Sequence, residues 1–295
     1  MKKHLLLSGI LLLLLSCGKK EISSGDEKLQ NDTLVAQIQS ENNGLENAIG
    51  GVLFTNTDSI DDSKELDLNL LAKVISQTNI KYADIKRDKT SSVKFNDQIT
   101  FFVIAYAVEN VNKEVGISIE RKYVFARTIN GKIIAQEDDG NLTYFEDEVV
   151  QISKSHIFKK LIRLNETTAG IAFYTRFNAG GGQVQFLKEK LTIVTLDDTK
   201  IKKVLYNYTI GRANTSTIDG TTDQTETLVS GLRVSDAQTN GFYDLIISKN
   251  FSCEESNMSD DIDVKANAKT KKETEVLKYN GKNYTFDATD KMRFI

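Results

Sequence analysis

The stretch "ITFFVIAYAV" at residues 99–108 constrains the chain most. Ten almost unbroken apolar residues, rich in β-branched and aromatic types, are too few for a membrane-crossing helix, which needs about 20. They read instead as a strand buried on both faces.

The sequence around this strand carries the same signature. "YVFARTINGKIIAQ" sets Asn130-Gly131 between two apolar-rich arms, and "VLKYNGKNYTF" does the same with Asn280-Gly281. Asn-Gly suits a type I′ hairpin, in which both central residues take positive φ. A third Asn-Gly pair stands at 240–241. The segments 171–177, 190–196, 203–210, 227–234 and 242–248 are further short strands punctuated by Gly, Asn and Asp. In "KVLYNYTI", Val204, Tyr206, Tyr208 and Ile210 alternate with Leu205, Asn207 and Thr209, which predicts one buried face. Proline is absent, so Gly, Asn and Asp must make the turns. A GC-poor codon bias, with abundant Lys, Asn and Ile, explains that absence more simply than any structural demand.

The best helix is "SKELDLNLLAKVISQ", where Leu66, Leu70, Leu71, Val74 and Ile75 follow a period near 3.6 and Ser63 can cap. The expected fold is therefore mainly β: an antiparallel sheet domain, sandwich or propeller-like, with one or two short helices near its N-terminal side. The Asn-Gly tips show no fixed period, so a propeller is not established. Residues 253–275, acidic first and basic afterwards, read as a mobile solvated loop, with a docking loop as the alternative and Cys253 an exposed thiol beside it.

The N-terminus carries a different message. Lys2 and Lys3 precede an apolar run from Leu5 to Leu15, too short to span, followed by Ser16 and Cys17. This is the layout of a secretory signal. The tetrad Leu14-Leu15-Ser16-Cys17 resembles the lipobox of bacterial lipoproteins. The resemblance implies cleavage before Cys17 and lipidation of its sulfur and amine; the plainer alternative is an ordinary signal with an incidental cysteine. Several acyl chains anchor far more durably than one, since each buried CH₂ contributes about 0.8 kcal/mol. Gly18 stands where inner-membrane lipoproteins of enterobacteria carry aspartate, and by that resemblance the outer membrane is favoured.

Residues 18–50 hold no aromatic residue and little apolar pattern, and they read as a flexible tether, with a short helix near Leu34–Gln39 as an option. A soft chain of about 33 residues reaches roughly 30 Å. The expected organisation is signal peptide 1–16, lipidated tether 17–50 and β-rich domain 51–295.

Composition narrows the function classes. Removing residues 1–16 leaves 36 basic against 41 acidic side chains, a net charge of −5. No basic footprint for nucleic acid is present. One histidine (His156) and one unmodified cysteine (Cys253) then remain, which rules out a disulfide framework. A zinc site would need two carboxylates beside them. The acidic stretches 58–65, 219–226 and 260–263 lack the glycine placement of a calcium loop and read as solvated turns. "AGGGQ" at 179–183 precedes a strand rather than the Lys-Ser/Thr helix start of a phosphate loop, so it reads as a tight connection. A His156–Cys253 dyad has no local signature, and His156 beside Phe158 reads as structural. No pair of carboxylates is singled out for glycoside hydrolysis.

The ending "NGFYDLII" (240–247) and "LKYNGKNYTF" (277–286) resembles that of uncharacterised envelope lipoproteins of Gram-negative bacteria. A looser similarity runs to periplasmic propellers with FG-GAP-type repeats, some of which inhibit lysozyme, although their Asp-rich calcium signature is missing here. The functional expectation is a lipid-anchored envelope protein, attached to the membrane through its N-terminus, that binds a protein or glycan without catalysis, cofactor or metal. Inhibition of a lytic enzyme and a carboxylate-dependent hydrolase are the alternatives.

Overall fold

The computed structural model describes residues 66–95, 97–108, 117–140, 144–146, 150–179, 184–217, 222–257, 268–288 and 294. The signal, Cys17, the tether and the start of the expected domain lie outside these residues, as do Ser63 and the acidic stretches 58–65 and 260–263.

The fold is predominantly β and antiparallel, with one short α-helix near the N-terminal side of the described residues. The helix α1 (Leu68–Ile75) is capped by Asp67, whose side chain accepts from the Leu70 amide at 2.9 Å. It is shorter than the periodicity predicts, and its cap is Asp67 rather than Ser63. Its apolar stripe is the expected one: Leu70, Leu71, Val74 and Ile75 are all buried.

A smaller sheet is built from β1 (Ser91–Lys94), β2 (Ile99–Val108), β3 (Ile117–Arg127) and β4 (Ile133–Asp138), in that order, with β5 (Tyr144–Glu146) also on β3. The run 99–108 is β2 itself. Phe101 and Val103 face the larger sheet, and Phe102 and Ile104 face α1, so both surfaces of this strand are buried. Each fully buried side chain of this size stabilises the fold by about 1.5–3 kcal/mol.

The larger sheet begins with three short strands, β6 (Val150–Ile152), β7 (His156–Ile157) and β8 (Ile162–Arg163), all on one edge of β9 (Ala169–Ala179). It continues as a meander of β10 (Val184–Asp197), β11 (Lys200–Thr217), β12 (Thr222–Thr239), β13 (Phe242–Asn257), β14 (Lys269–Tyr279) and β15 (Tyr284–Thr285). The two sheets pack face to face through Phe101, Tyr123 and Phe125 on one side and Ile171, Phe173 and Val194 on the other. Among the described residues these are packed sheets of five and ten strands, not four-stranded blades.

The larger sheet also curls on itself. Leu232, Leu245, Ile247, Leu277 and Tyr284, from β12–β15, join one cluster with Leu191, Ile193 and Leu205 from β10 and β11. The curl is pinned where the Tyr243 amide donates to the Leu164 carbonyl at 2.7 Å and the Asn165 side chain donates to the Gly241 carbonyl at 3.1 Å.

Several local expectations change. Only the Asn240-Gly241 turn has both central residues at positive φ, 51° and 84°, between the paired Thr239 and Phe242. At the other two tips only the glycine is left-handed, and Asn130 and Asn280 instead accept backbone amides through Oδ1. Gly131 is further required by its neighbour, because a Cβ there would sit 2.8 Å from Lys73 Cβ of α1. Alternation fails within β11. Val204 and Leu205 are both buried, while Asn207 takes φ 56° beside the register shifts that turn the strand.

The segment 253–275 is the largest correction. Its two ends are strand: Cys253 to Asn257 belong to β13 and Lys269 onward to β14, in continuous register from Leu245↔Leu277 to Cys253↔Lys269. The charges stand on an outer strand instead of marking a loop throughout.

Candidate functional site

Buried charge is the first thing a reading of chemistry must account for, because an unpaired ion in an apolar interior is strongly disfavoured. In the seam between the sheets, Arg121 (β3) and Asp139 are 4% and 2% exposed. Arg121 donates to Asp139 Oδ2 from Nε at 3.1 Å and pairs with it through Nη2 at 3.0 Å. Its Nη1 donates to Ser155 Oγ at 3.1 Å and to Thr175 of β9. Tyr123 donates to the other Asp139 oxygen, and the Asp139 carbonyl accepts from Lys203 Nζ at 3.0 Å and Tyr206 Oη at 2.8 Å. This network ties the two sheets together.

A second charged region lies along the larger sheet. Glu189, buried on β10, accepts from Arg176 Nη2 at 2.8 Å and Nε at 3.1 Å across the β9–β10 ladder. Its carboxylate folds over Gly211, where any Cβ would collide with Oε2. One strand further on, Arg212 and Glu226 form an ion pair with side chains 1% and 0% exposed. The remaining Glu226 oxygen accepts the Phe294 amide at 2.8 Å. Cys253 sits directly across from Glu226 on β13 and is 1% exposed. Burial, and then the Glu226 charge, push its thiol pKa up. The thiol is thus a shielded core group, contrary to the exposed position expected for it.

The opposite face of β11–β14 is open. Its cross-strand rows are Ala213, Thr227, Ser252 and Thr270; Thr215, Thr225 and Glu254; and Gly231, Ser248 and Thr274. These side chains are half-buried or exposed, whereas Leu228, Glu226, Phe251 and Cys253 on the alternate positions are buried. Hydroxyls link neighbouring strands at Thr215···Thr225, 2.9 Å, and Thr227···Ser252, 2.6 Å. The row Gly211, Val229, Asn250 and Lys272 lies on the same face, so the result is a broad polar surface rich in small hydroxylated residues, with Glu254, Asn250 and Lys272 as its larger groups.

His156 stacks on Tyr174, centroids 4.8 Å apart, at the β9 edge. Cys253 lies on β13, four strands along the sheet order, with Glu226 and Lys269 as its partners across the ladder. Tyr208 is a core residue as expected, whereas Tyr206, expected on the same buried face, is half-buried and donates to the Asp139 carbonyl. Gln224, Thr225 and Glu226 of the acidic stretch 219–226 belong to β12. The glycine-rich stretch joins the paired strands β9 and β10, with residues 180–183 outside the described ones. Sequence reasoning missed the buried Arg121–Asp139 and Arg212–Glu226 pairs, since charges in strands ordinarily read as solvent-facing.

Among the described residues, no group of three or more His, Cys, Asp or Glu side chains is placed to hold a metal ion. Among the same residues, no helix is long and apolar enough to cross a membrane. No protein-family model, curated protein or solved structure matches the chain.

Proposed function

We propose that this protein is a lipid-anchored component of a Gram-negative envelope, held at the outer membrane through Cys17, whose β domain binds a protein or glycan partner. The observation that carries the binding reading is the open hydroxylated face of β11–β14, backed by a buried face that fixes it rigidly. The buried charged groups support the same reading. Arg121, Asp139, Glu189, Arg212 and Glu226 are all engaged in joining strands, so they act as scaffold. The short apolar leader, the Leu14-Leu15-Ser16-Cys17 tetrad and the tether-like composition of residues 18–50 support the anchor.

The anchor is tested by metabolic labelling with palmitate in cells producing the full chain. Incorporation that disappears in Cys17→Ala, together with release of the protein from the membrane fraction, is expected. An unlabelled wild-type protein refutes the anchor. The binding role is tested by incubating purified protein with isolated cell-wall polymer. Co-sedimentation lost in Thr227→Arg is expected for a glycan ligand; turnover of the polymer, abolished by one side-chain change, refutes the non-catalytic reading.

A further inference from the structure

The outer edge of the larger sheet is β14. On one side β14 pairs with β13 from Lys269 to Leu277; on the other it pairs with β15 only at Lys278 and Tyr279. Among the described residues, no strand pairs the outer edge of positions 269–277. An open edge is a row of backbone donors and acceptors that can accept another strand.

The charges on this edge are segregated. Lys269, Lys271 and Lys272 occupy its first half, and Glu273 and Glu275 its second. Charges that merely guard an edge against association need no such order. Antiparallel pairing of two identical strands about a two-fold axis normal to the sheet keeps equivalent side chains on the same face, so the axis must pass at a residue position.

Within one chain Lys271 already pairs with Glu273 at 2.9 Å and Lys269 stands 3.9 Å from Glu255; centring the axis on Lys272 adds to these contacts, setting Lys271 against Glu273 of the second copy and Lys269 against Glu275, each pair occurring twice. On the other face it sets Thr270 against Thr274 and Ala268 against Val276, which is 49% exposed. Lys272 meets its own copy on the solvent side, where its long stem can carry the charge away. An axis at Glu273 would instead oppose two glutamates and set Lys269 against Leu277. The Lys272 register spans residues 268–276 and stops before β15 begins to pair at Lys278. Glu275 is already fixed in place, 2.6 Å from Lys249 Nζ and accepting from Tyr208 Oη at 2.7 Å.

From this self-complementarity we infer that β14 is a homodimer interface, in which two copies of the chain join edge to edge into one continuous sheet centred on Lys272. This goes beyond the binding role proposed above and does not depend on it.

The test uses the full chain in detergent with Lys272→Cys, oxidised mildly and run without reductant. Directly opposed cross-strand residues lie near the span a disulfide accepts, so a reducible dimer is expected. Thr270→Cys and Thr274→Cys should give little, because each is displaced from its own copy by four positions, about 14 Å. In parallel, light scattering on uncrosslinked protein should show a dimer. Lys271→Glu should raise its dissociation constant at least about tenfold, equivalent to about 1.4 kcal/mol, and adding Glu273→Lys should restore it by swapping the paired charges. A monomeric wild type whose Lys272→Cys crosslinks no better than the controls overturns the interface. So does a dimer indifferent to the charge swap, which would place the contact elsewhere.

Discussion

Arg121 meets Asp139 at 3.0 Å in the seam between the sheets, with both side chains almost wholly removed from solvent. Further polar contacts of this pair come from Tyr123 on the same strand as Arg121 and, from elsewhere in the chain, from Ser155, Thr175, Lys203 and Tyr206. Removing one partner of such a pair leaves an uncompensated charge indoors. Arg121→Met should destabilise the fold by about 3–5 kcal/mol, measured by urea denaturation. A loss below about 1 kcal/mol would show that water reaches the seam.

Gly211 is required by space, because the Glu189 carboxylate occupies the volume a side chain would need. Gly211→Ala is expected to lower stability by about 1–3 kcal/mol. In combination with Glu189→Ala the two effects should be clearly less than additive, because the second change removes the obstacle. Strict additivity in thermal melts would contradict this account.

The Tyr208 hydroxyl is buried and donates to Glu275, and burial first, then that bond, raise its pKa well above the ordinary tyrosine value. The folded state therefore holds this proton more tightly than the unfolded chain does. The stabilisation is fully present below about pH 10, the unfolded value, and is lost as pH rises beyond it. Denaturation midpoints at pH 9 and pH 11 should differ less in Tyr208→Phe than in wild type. Part of the slope should persist, since Tyr106 and Tyr284 are raised in the same direction by burial.

Cys253 lies beneath the same sheet, opposite Glu226, and its thiol is held protonated. Labelling with a thiol-specific disulfide reagent should be slow in the native protein and complete on unfolding in denaturant. Rapid labelling at neutral pH in the folded protein would show that this face opens.

The parts of the fold legible in advance are those where one physical demand dominates the pattern. The strand 99–108 was readable because both its faces are buried over most of its length, leaving Thr100 as the single small polar interruption of the run. The stripe of α1 was readable because a single face packs on Phe102, Ile104 and Val124. The first half of β14 was not: an outer strand whose side chains are largely exposed carries Lys, Thr and Glu, the vocabulary of a loop. The bend in β11 was equally hidden, because Asn207 adopts its left-handed backbone only in response to sheet curvature. The open hydroxylated face was not legible: part of it falls in the stretch 219–226 that reads as a solvated turn, and only strand register shows which threonines stand in one row.

The network around Arg121 has a kinetic meaning. Its members span Arg121 to Tyr206, so the guanidinium and carboxylate must wait for a strand some eighty residues downstream before their last contacts form. Assembly is thereby dominated by distant pairings, the regime in which chains fold slowly, in milliseconds to seconds rather than microseconds. Neither sheet is separable from the other: a fragment ending before β11 would carry the ion pair without the groups that complete its shell. The two sheets should accordingly appear and disappear together, as one cooperative transition, whichever probe follows them.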